Sequence, residues 1–378
     1  MGCSYQKDCG GCTLRHLTSQ AYRNYKIEKV QNILSTGLKG AHYVWDEPVF
    51  IADGNRRRAA FVFHFHQGKL KLGFNEARSS EIADCTVCPA LTERLNAVLA
   101  DLRPFLEKFC RVNTTPKIKG KHKPTVTPLS GGDILLLDAE NGIDMVLEAD
   151  IELQLDHRAE IFDFMNEHNA MIRFSHRRRP DGQAEPILEK TTPIITIGGY
   201  QVFVAPGMFL QASKAGEQAL TETVLRYLGS DVGRVADLFC GIGTFTYPLA
   251  RIGCQVEAYD VNESLLNGFR ASVNAQMLHH VSIFKQNLFK YPPEPEELSR
   301  FDAVIFDPPR AGAAALVRQL AQVQGTKLRK VVAVSCNPHS FVNDARVLLE
   351  SGYNLQNVTL VDQFVYSDHS ELVALFTK

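Results

Sequence analysis

The residues of this chain best placed to do chemistry are a cysteine at a strand end, carboxylates beside glycine or proline turns, and cysteines clustered near the start. Val331-Val332-Ala333-Val334-Ser335-Cys336-Asn337-Pro338 is an apolar run without alternation, the pattern of a strand covered on both faces. It ends in Cys336. The carboxyl rim of such a sheet is where open α/β proteins hold their ligands, so Cys336 is a candidate nucleophile.

Asp237-Leu238-Phe239-Cys240-Gly241-Ile242-Gly243-Thr244 reads as a glycine turn between a strand and a helix, with Asp260 closing the next strand. Glycines let backbone amides approach a nucleotide-like ligand, and an acid in the position of Asp260 reaches ribose hydroxyls. The dinucleotide fingerprint needs a third glycine where this chain has Thr246, which disfavours NAD and FAD and leaves S-adenosylmethionine as the expected ligand.

Asp307-Pro308-Pro309-Arg310 ends a further strand. Enzymes that methylate exocyclic amines often carry an aromatic residue where Arg310 stands, and those acting on C5 of cytosine in RNA commonly add a second cysteine here, which is absent. Asp307 could accept a hydrogen bond from the imide N–H of uracil. C5 of uracil is a poor nucleophile until a thiolate adds to C6, and the C5 proton must then leave to a base. Glu371, in Asp368-His369-Ser370-Glu371, is the expected base, with His369 as its orienting neighbour or competitor.

Cys3-x5-Cys9-x2-Cys12 and, further on, Cys85-x2-Cys88-Pro89 form the other constellation. One tight group plus a distant thiolate can hold tetrahedral zinc or an iron–sulfur cube; three near thiolates with a Cys-Pro favour 4Fe-4S. Unligated thiols are the remaining reading. Nine cysteines, an odd number, argue for metal or catalytic thiols over a disulfide framework.

These groups need elements to position them. Hydrophobic content of 45%, charged content of 22% and a net charge of −1 over 378 residues describe an ordinary globular chain of two or three domains. No apolar run is long enough to span a membrane and no export signal is visible, so a cytoplasmic monomer is expected. The division expected is 1–205, an α+β iron–sulfur and RNA-binding region, and 206–378, a Rossmann-like methyltransferase domain with a mostly parallel seven-stranded sheet.

In the front part, an amphipathic helix at 19–36 carries Ile27, Val30 and Leu34 on one face, flanked by Lys26 and Lys29, and is a candidate to pack on the catalytic domain. A hairpin follows, turning at Gln67-Gly68, with His64 and His66 as half-exposed strand residues. Basic clusters at Arg56-Arg57-Arg58, 117–123 and Arg177-Arg178-Arg179 fit a surface that tracks an RNA backbone. From 235 onward strands and helices alternate, closing with two strands at 355–361 and 372–376 expected as an antiparallel hairpin at one edge.

Taken together, these motifs resemble the bacterial RNA uracil-5-methyltransferase family over nearly the whole chain. The resemblance implies that Cys3, Cys9, Cys12 and Cys88 ligate a 4Fe-4S cluster with Cys85 a bystander. It also implies that Phe239, Gly241, Gly243, Thr244, Asp260, Asn287 and Asp307 line the cofactor and uracil pocket. Phe209-Leu210-Gln211 resembles the family's Phe-x-Gln, which implies that Gln211 contacts cofactor or base, and the same resemblance implies Cys336 as nucleophile and Glu371 as base. Asp260 and Thr244 stand where well-known members have Glu and Asn. The chain begins at the cluster cysteines, without the amino-terminal barrel of some members, and so resembles the shorter enzymes that methylate 23S ribosomal RNA. Transfer-RNA methylation is the alternative within the class, and a non-catalytic iron–sulfur RNA-binding or ribosome assembly factor the alternative outside it.

Overall fold

The computed structural model describes residues 2–112, 129–178 and 182–378. They cluster into two compact units built from interleaved segments, one comprising 1–16, 53–195 and 204–208, the other 17–52, 196–203 and 209–378. A single cut after residue 205 therefore does not describe the chain, because 17–52 belongs with the later residues.

In the first unit, a sheet of seven strands among the described residues runs Ile82–Asp84, Lys69–Asn75, Arg58–His66, Gly131–Ala139, Gly142–Glu148, Met171–Arg177, Glu185–Glu189. The expected hairpin is present: Gln67 and Gly68 both take positive φ (49° and 77°), as a two-residue turn between right-twisted strands requires. Helices Glu93–Arg111 and Leu155–Glu167 supply Leu99, Leu106, Phe109, Ile161 and Phe164 to the core on one sheet face. The exposed rings of His64 and His66 stack on the strand, centroids 6.0 Å apart.

Of the basic clusters, the first is largely buried and the described part of the third is paired with carboxylates. Arg57 is buried, and Arg58, at the first position of its strand, is pushed down to about 10 by burial and then by the charges of Arg56 and Arg57. Arg177 and Arg178 pair with Glu148 (2.5 Å) and Asp150 (2.7 Å). The stretch 117–123 and Arg179 lie outside the described residues.

The second unit is a doubly wound sheet of nine strands among the described residues, two more than expected. The order is Val44–Trp45, Asn354–Asp362, Glu371–Thr377, Lys330–Ser335, Ala303–Phe306, Arg234–Leu238, Gln255–Asp260, Val281–Lys285, with Val49–Phe50 also on Asn354–Asp362. The two additions are two-residue strands too short to leave a pattern. Alternate residues feed opposite cores: Ala236, Val304, Val331 and Ala333 one, Val235, Ile305, Val332 and Val334 the other. Burial on both faces is why these strands read as unbroken apolar runs.

All pairings in this sheet are parallel except those of Glu371–Thr377, which is antiparallel to both neighbours. The closing strands do pair antiparallel, but the last is inserted inside the sheet and is not an edge. That insertion brings the first residue of the last strand to the rim where the parallel strands end.

Candidate active site

Cys336 follows strand Lys330–Ser335 and precedes helix Pro338–Glu350. Asn337 caps that helix, its side chain accepting from the His339 amide at 3.1 Å, and Pro338 opens it. The loop is pinned further by Asn337 Nδ2 donating to the Arg310 carbonyl at 3.1 Å. A thiol just ahead of a helix N-terminus sits in a field that favours its anion. Burial opposes this and, with the charges of Glu371 and Asp307 and against that of Arg310, pushes Cys336 up to about 11.

Register explains why Glu371 is beside it. Ser335 pairs with Leu372, and Glu371 pairs with Val361 on the other side, so the carboxyl stands at the same rim as the sulfur. Glu371 is 2% exposed, and burial pushes it up to about 7 against the opposing hydrogen bond from Gln363. Gln363 Nε2 donates to Glu371 Oε2 at 2.5 Å and to Gln211 Oε1 at 2.7 Å. Gln211 Nε2 in turn reaches Asp307 Oδ2 at 3.5 Å, and Gln363 Oε1 accepts from the Ala212 amide at 3.2 Å. Asp307 is raised well above the carboxylate range, by burial first and then by the Glu371 charge.

The structure thus joins Asp307, Gln211, Gln363 and Glu371 into one hydrogen-bonded network, with Cys336 in the field of its two carboxyls. Gln363, its central member, was not anticipated. Nor is His369 the partner of Glu371: its ring faces Arg310, with Arg310 Nη2 at 2.7 Å from Nε2 and 3.2 Å from Nδ1, and its pKa is lowered by burial and that guanidinium. The amide of Gln363 holds Glu371 instead, because the side chain after His369-Ser370 turns inward with the strand.

Further along the rim lies the glycine turn. Asp260 accepts from the Gly241 amide (3.0 Å) with one oxygen and from the Asn262 amide (2.9 Å) with the other. Gly241 takes φ 56°, and a Cβ built on it would meet no atom within 4 Å, so the backbone there borders open space. Phe239 holds φ 61°, an unusual conformation for a bulky residue, and its ring lies 5.3 Å from that of Phe289. Gly243 is required for packing, since a Cβ there would strike the Phe269 ring.

Asp237 is fully buried and pushed up to about 7 by burial. One of its oxygens accepts from Thr246 Oγ1 at 2.6 Å, and the other has no partner among the described residues. Thr246, which breaks the dinucleotide pattern, therefore anchors the acid under the turn; Thr244 is only half-buried. Asn287 caps a turn, its side-chain oxygen accepting from Phe289 (3.1 Å) and Lys290 (3.3 Å) amides. An open backbone cradle, an acid at the strand end with lone pairs to spare and a flanking aromatic ring fit S-adenosylmethionine.

The cysteines of the first unit are held independently. Cys88 N donates to Asn96 Oδ1 at 2.8 Å, the Gly11 amide points at Cys9 Sγ (3.4 Å), and Arg15 Nη2 points at Cys12 Sγ (3.7 Å). Arg15 is itself clamped by both oxygens of Asp53 at 2.6 and 3.0 Å. Among the described residues, no three His, Cys, Asp or Glu side chains converge as ligands of a metal ion.

The parallel sheet with an inserted antiparallel strand, glycine turn and acid-capped strands defines an S-adenosylmethionine-dependent methyltransferase of class I. The fold matches that of Pyrococcus abyssi tRNA (uracil-54, C5)-methyltransferase, solved with S-adenosyl-L-homocysteine, at TM-score 0.74 and 23% identity over 98% of this chain and 86% of that one. A methyltransferase small-domain family matches residues 199–331, and the tRNA (uracil-5-)-methyltransferase family matches 296–378.

An uncharacterized RNA methyltransferase of Agrobacterium fabrum is 35% identical over 98% of this chain and 82% of its own length. The 23S rRNA (uracil(1939)-C(5))-methyltransferase RlmD of Pectobacterium atrosepticum is 28% identical over 99% of this chain and 79% of its own. The chain belongs to this family of RNA methyltransferases. No helix among the described residues is long and apolar enough to cross a membrane.

Proposed function

We propose that this enzyme methylates C5 of a uridine in 23S ribosomal RNA through a covalent bond from Cys336 to C6. The observation that carries the reading is the network Asp307–Gln211–Gln363–Glu371 set beside the Cys336 thiol at one sheet rim. S-adenosylmethionine supplies an electrophilic methyl on sulfur, and Phe239, Gly241, Asp260 and Asn287, with Gly243 and Thr244 shaping the turn, would hold it.

Cys336 adds to C6 as its thiolate, once the thiol, pushed up to about 11 by burial and the carboxyls against the pull of Arg310, has given up its proton, and it pushes electron density to C5 and O4. Asp307, pushed up by burial and then by the Glu371 charge, can accept from the N3–H of uracil, a donor that cytosine lacks. With the methyl on C5, Glu371 takes the C5 proton, the C5–C6 double bond re-forms and the sulfur leaves with the electron pair it brought. A base pushed up to about 7 is poised for that transfer near neutral pH. A base stacked inside a helix cannot reach a half-buried thiol at a sheet rim, so the uridine is flipped from its stack or presented by a loop.

The choice of ribosomal over transfer RNA rests on the RlmD relative and on the cysteines. Cys3, Cys9, Cys12 and Cys88 share one field, in which burial and then the Cys12, Cys9 and Cys3 charges push Cys88 up to about 11; Cys85 feels Cys88 and Cys9 as well, and it is the family resemblance of Cys88-Pro89 that selects Cys88. A four-iron cube spaces its thiolates more widely than a single ion, and N–H groups aimed at Cys9 and Cys12 are the contacts that stabilise anionic sulfur. The proposed ligand set is those four, with the group holding the loops rather than taking part in methyl transfer. Protein prepared without oxygen should contain iron and sulfide and absorb broadly in the visible. Cys88→Ser should abolish this and Cys85→Ser should not, whereas stoichiometric zinc would refute it.

The deciding test is incubation with S-adenosylmethionine and 5-fluorouridine-substituted RNA. A covalent protein–RNA adduct should form on 23S transcripts and vanish in Cys336→Ala. A preference for transfer RNA would move the substrate, and no methyl transfer to any RNA would leave a binding factor.

A further inference from the structure

Helix Ser19–Gly37 turns Tyr22, Lys26, Val30 and Leu34 inward. Val30 and Leu34 belong in a core, but Tyr22 and Lys26 are polar, and Lys26 is fully buried. Its ammonium pairs with Asp362 Oδ1 at 3.0 Å, itself 1% exposed, at the end of strand Asn354–Asp362. It also donates to the carbonyls of Ser367 (3.1 Å) and His369, so one ammonium ties the end of that strand to two points of the loop 363–370.

The rest of the helix face repeats the arrangement. Tyr22 donates to Asp362 Oδ2 and accepts from the Tyr366 amide at 2.9 Å, with the two rings 4.7 Å apart. Lys29 donates to the Asp368 carbonyl (3.1 Å) and pairs with its carboxylate (2.5 Å), which also accepts from Tyr25 at 3.2 Å. The loop so held begins with Gln363 and ends immediately before Glu371. Burying a lone ammonium is costly unless every donor is matched, and here all matches are to this loop and the strand feeding it.

We propose that Lys26 is a positioning residue for the methyl transfer: by tying the carbonyls of Ser367 and His369 to Asp362 it sets where the last strand starts, and hence where the Glu371 carboxyl stands. Lys26 touches no reacting atom. The proposal rests on the assignment of Glu371 as base and specifies what locates it. Misplacing a base by about 1 Å slows proton removal by about 100-fold while the earlier bond from sulfur to C6 still forms.

The experiment compares wild type, Lys26→Met, Lys26→Arg and the milder Tyr22→Phe and Lys29→Ala on ordinary uridine RNA. Rates are normalised to folded protein, and the covalent complex is quantified by denaturing gel. Lys26→Met should lower kcat about 100-fold, leave KM for S-adenosylmethionine unchanged and accumulate the covalent complex. Lys26→Arg should restore part of the rate, and Tyr22→Phe and Lys29→Ala should accumulate the complex to a lesser degree. If Lys26→Met does not fold, those two decide. Folded variants that turn over at the wild-type rate without accumulation overturn the positioning role. Wild-type protein that forms no 5-methyluridine overturns the underlying assignment instead.

Discussion

Gln363→Leu tests the network where its parts oppose one another most clearly. Burial raises Glu371 to about 7, and the Gln363 amide at 2.5 Å is what holds it from rising further. A hydrogen bond to a charged group contributes about 1.5–3 kcal/mol. At about 1.4 kcal/mol per pKa unit, its loss moves the midpoint up by roughly 1–2 units. The base acts ionised, so the acidic limb of the rate profile shifts to higher pH. At pH 7 the ionised fraction falls from about half to about a tenth or less, and the rate falls at least about fivefold, recovering above pH 9. The assay is single-turnover transfer of labelled methyl to RNA across pH 5.5–10 (the range set to bracket roughly 3 units above the wild-type midpoint). Leucine also leaves the Ala212 amide without its acceptor, which would lower the high-pH plateau but not move the midpoint. An unmoved midpoint, or one displaced toward acid, would refute the placement of Gln363 against an ionising Glu371.

Three further outcomes follow from the same structure. Glu371→Gln should accumulate the covalent complex on ordinary RNA. It should also melt higher than wild type at pH 8 but not at pH 5, because a carboxyl raised from 4.5 to about 7 in the fold favours the folded state at low pH and loses that advantage as pH rises through this window. Equal melting differences at both pH values would contradict the buried carboxyl. Cys336→Ser should fold normally, bind S-adenosylmethionine as wild type does and give neither adduct nor product; measurable 5-methyluridine from it would end the covalent mechanism. In the first unit, Arg173 clamps Asp144 with bonds of 2.9 and 2.8 Å, both side chains at most 3% exposed. Asp144→Asn should therefore lower stability to urea by about 3–5 kcal/mol. Asp144→Leu combined with Arg173→Met should recover much of the loss, and a loss confined to the double variant would contradict the account.

What the sequence made legible follows from how each signal arises. The later strands were readable because both faces are buried, which writes Val331 to Val334 as an uninterrupted apolar run, and because Asn337 and Pro338 mark a helix start directly after Cys336. Lys26 was legible only as a flank of the apolar stripe: helical spacing does not say that a charged position is buried, and only a fold that brings Asp362, Ser367 and His369 over the helix makes it so. Gln363 carried no signal, since a lone amide between a strand and a loop has no period and no spacing partner. Arg57 and Arg58 looked like part of a basic patch because a run of charges on paper carries no sign of the burial met at the start of strand Arg58–His66.

The reversed last strand makes the site possible. In an all-parallel sheet only strand ends meet at the ligand rim, and a nucleophile so placed would find the next strand's first residue at the far side of the sheet. Inserting Glu371–Thr377 antiparallel between Asn354–Asp362 and Lys330–Ser335 puts a strand beginning at that rim. The pairing of Ser335 with Leu372 then fixes which residue occupies it. A register slip of one residue would turn the Glu371 carboxyl to the opposite face, away from Cys336. The loop between the last two strands must therefore be held at both ends, by Asp362 on one side and the His369 carbonyl on the other. The buried lysine that meets both ties down the start of a strand, where Glu371 stands, rather than its end.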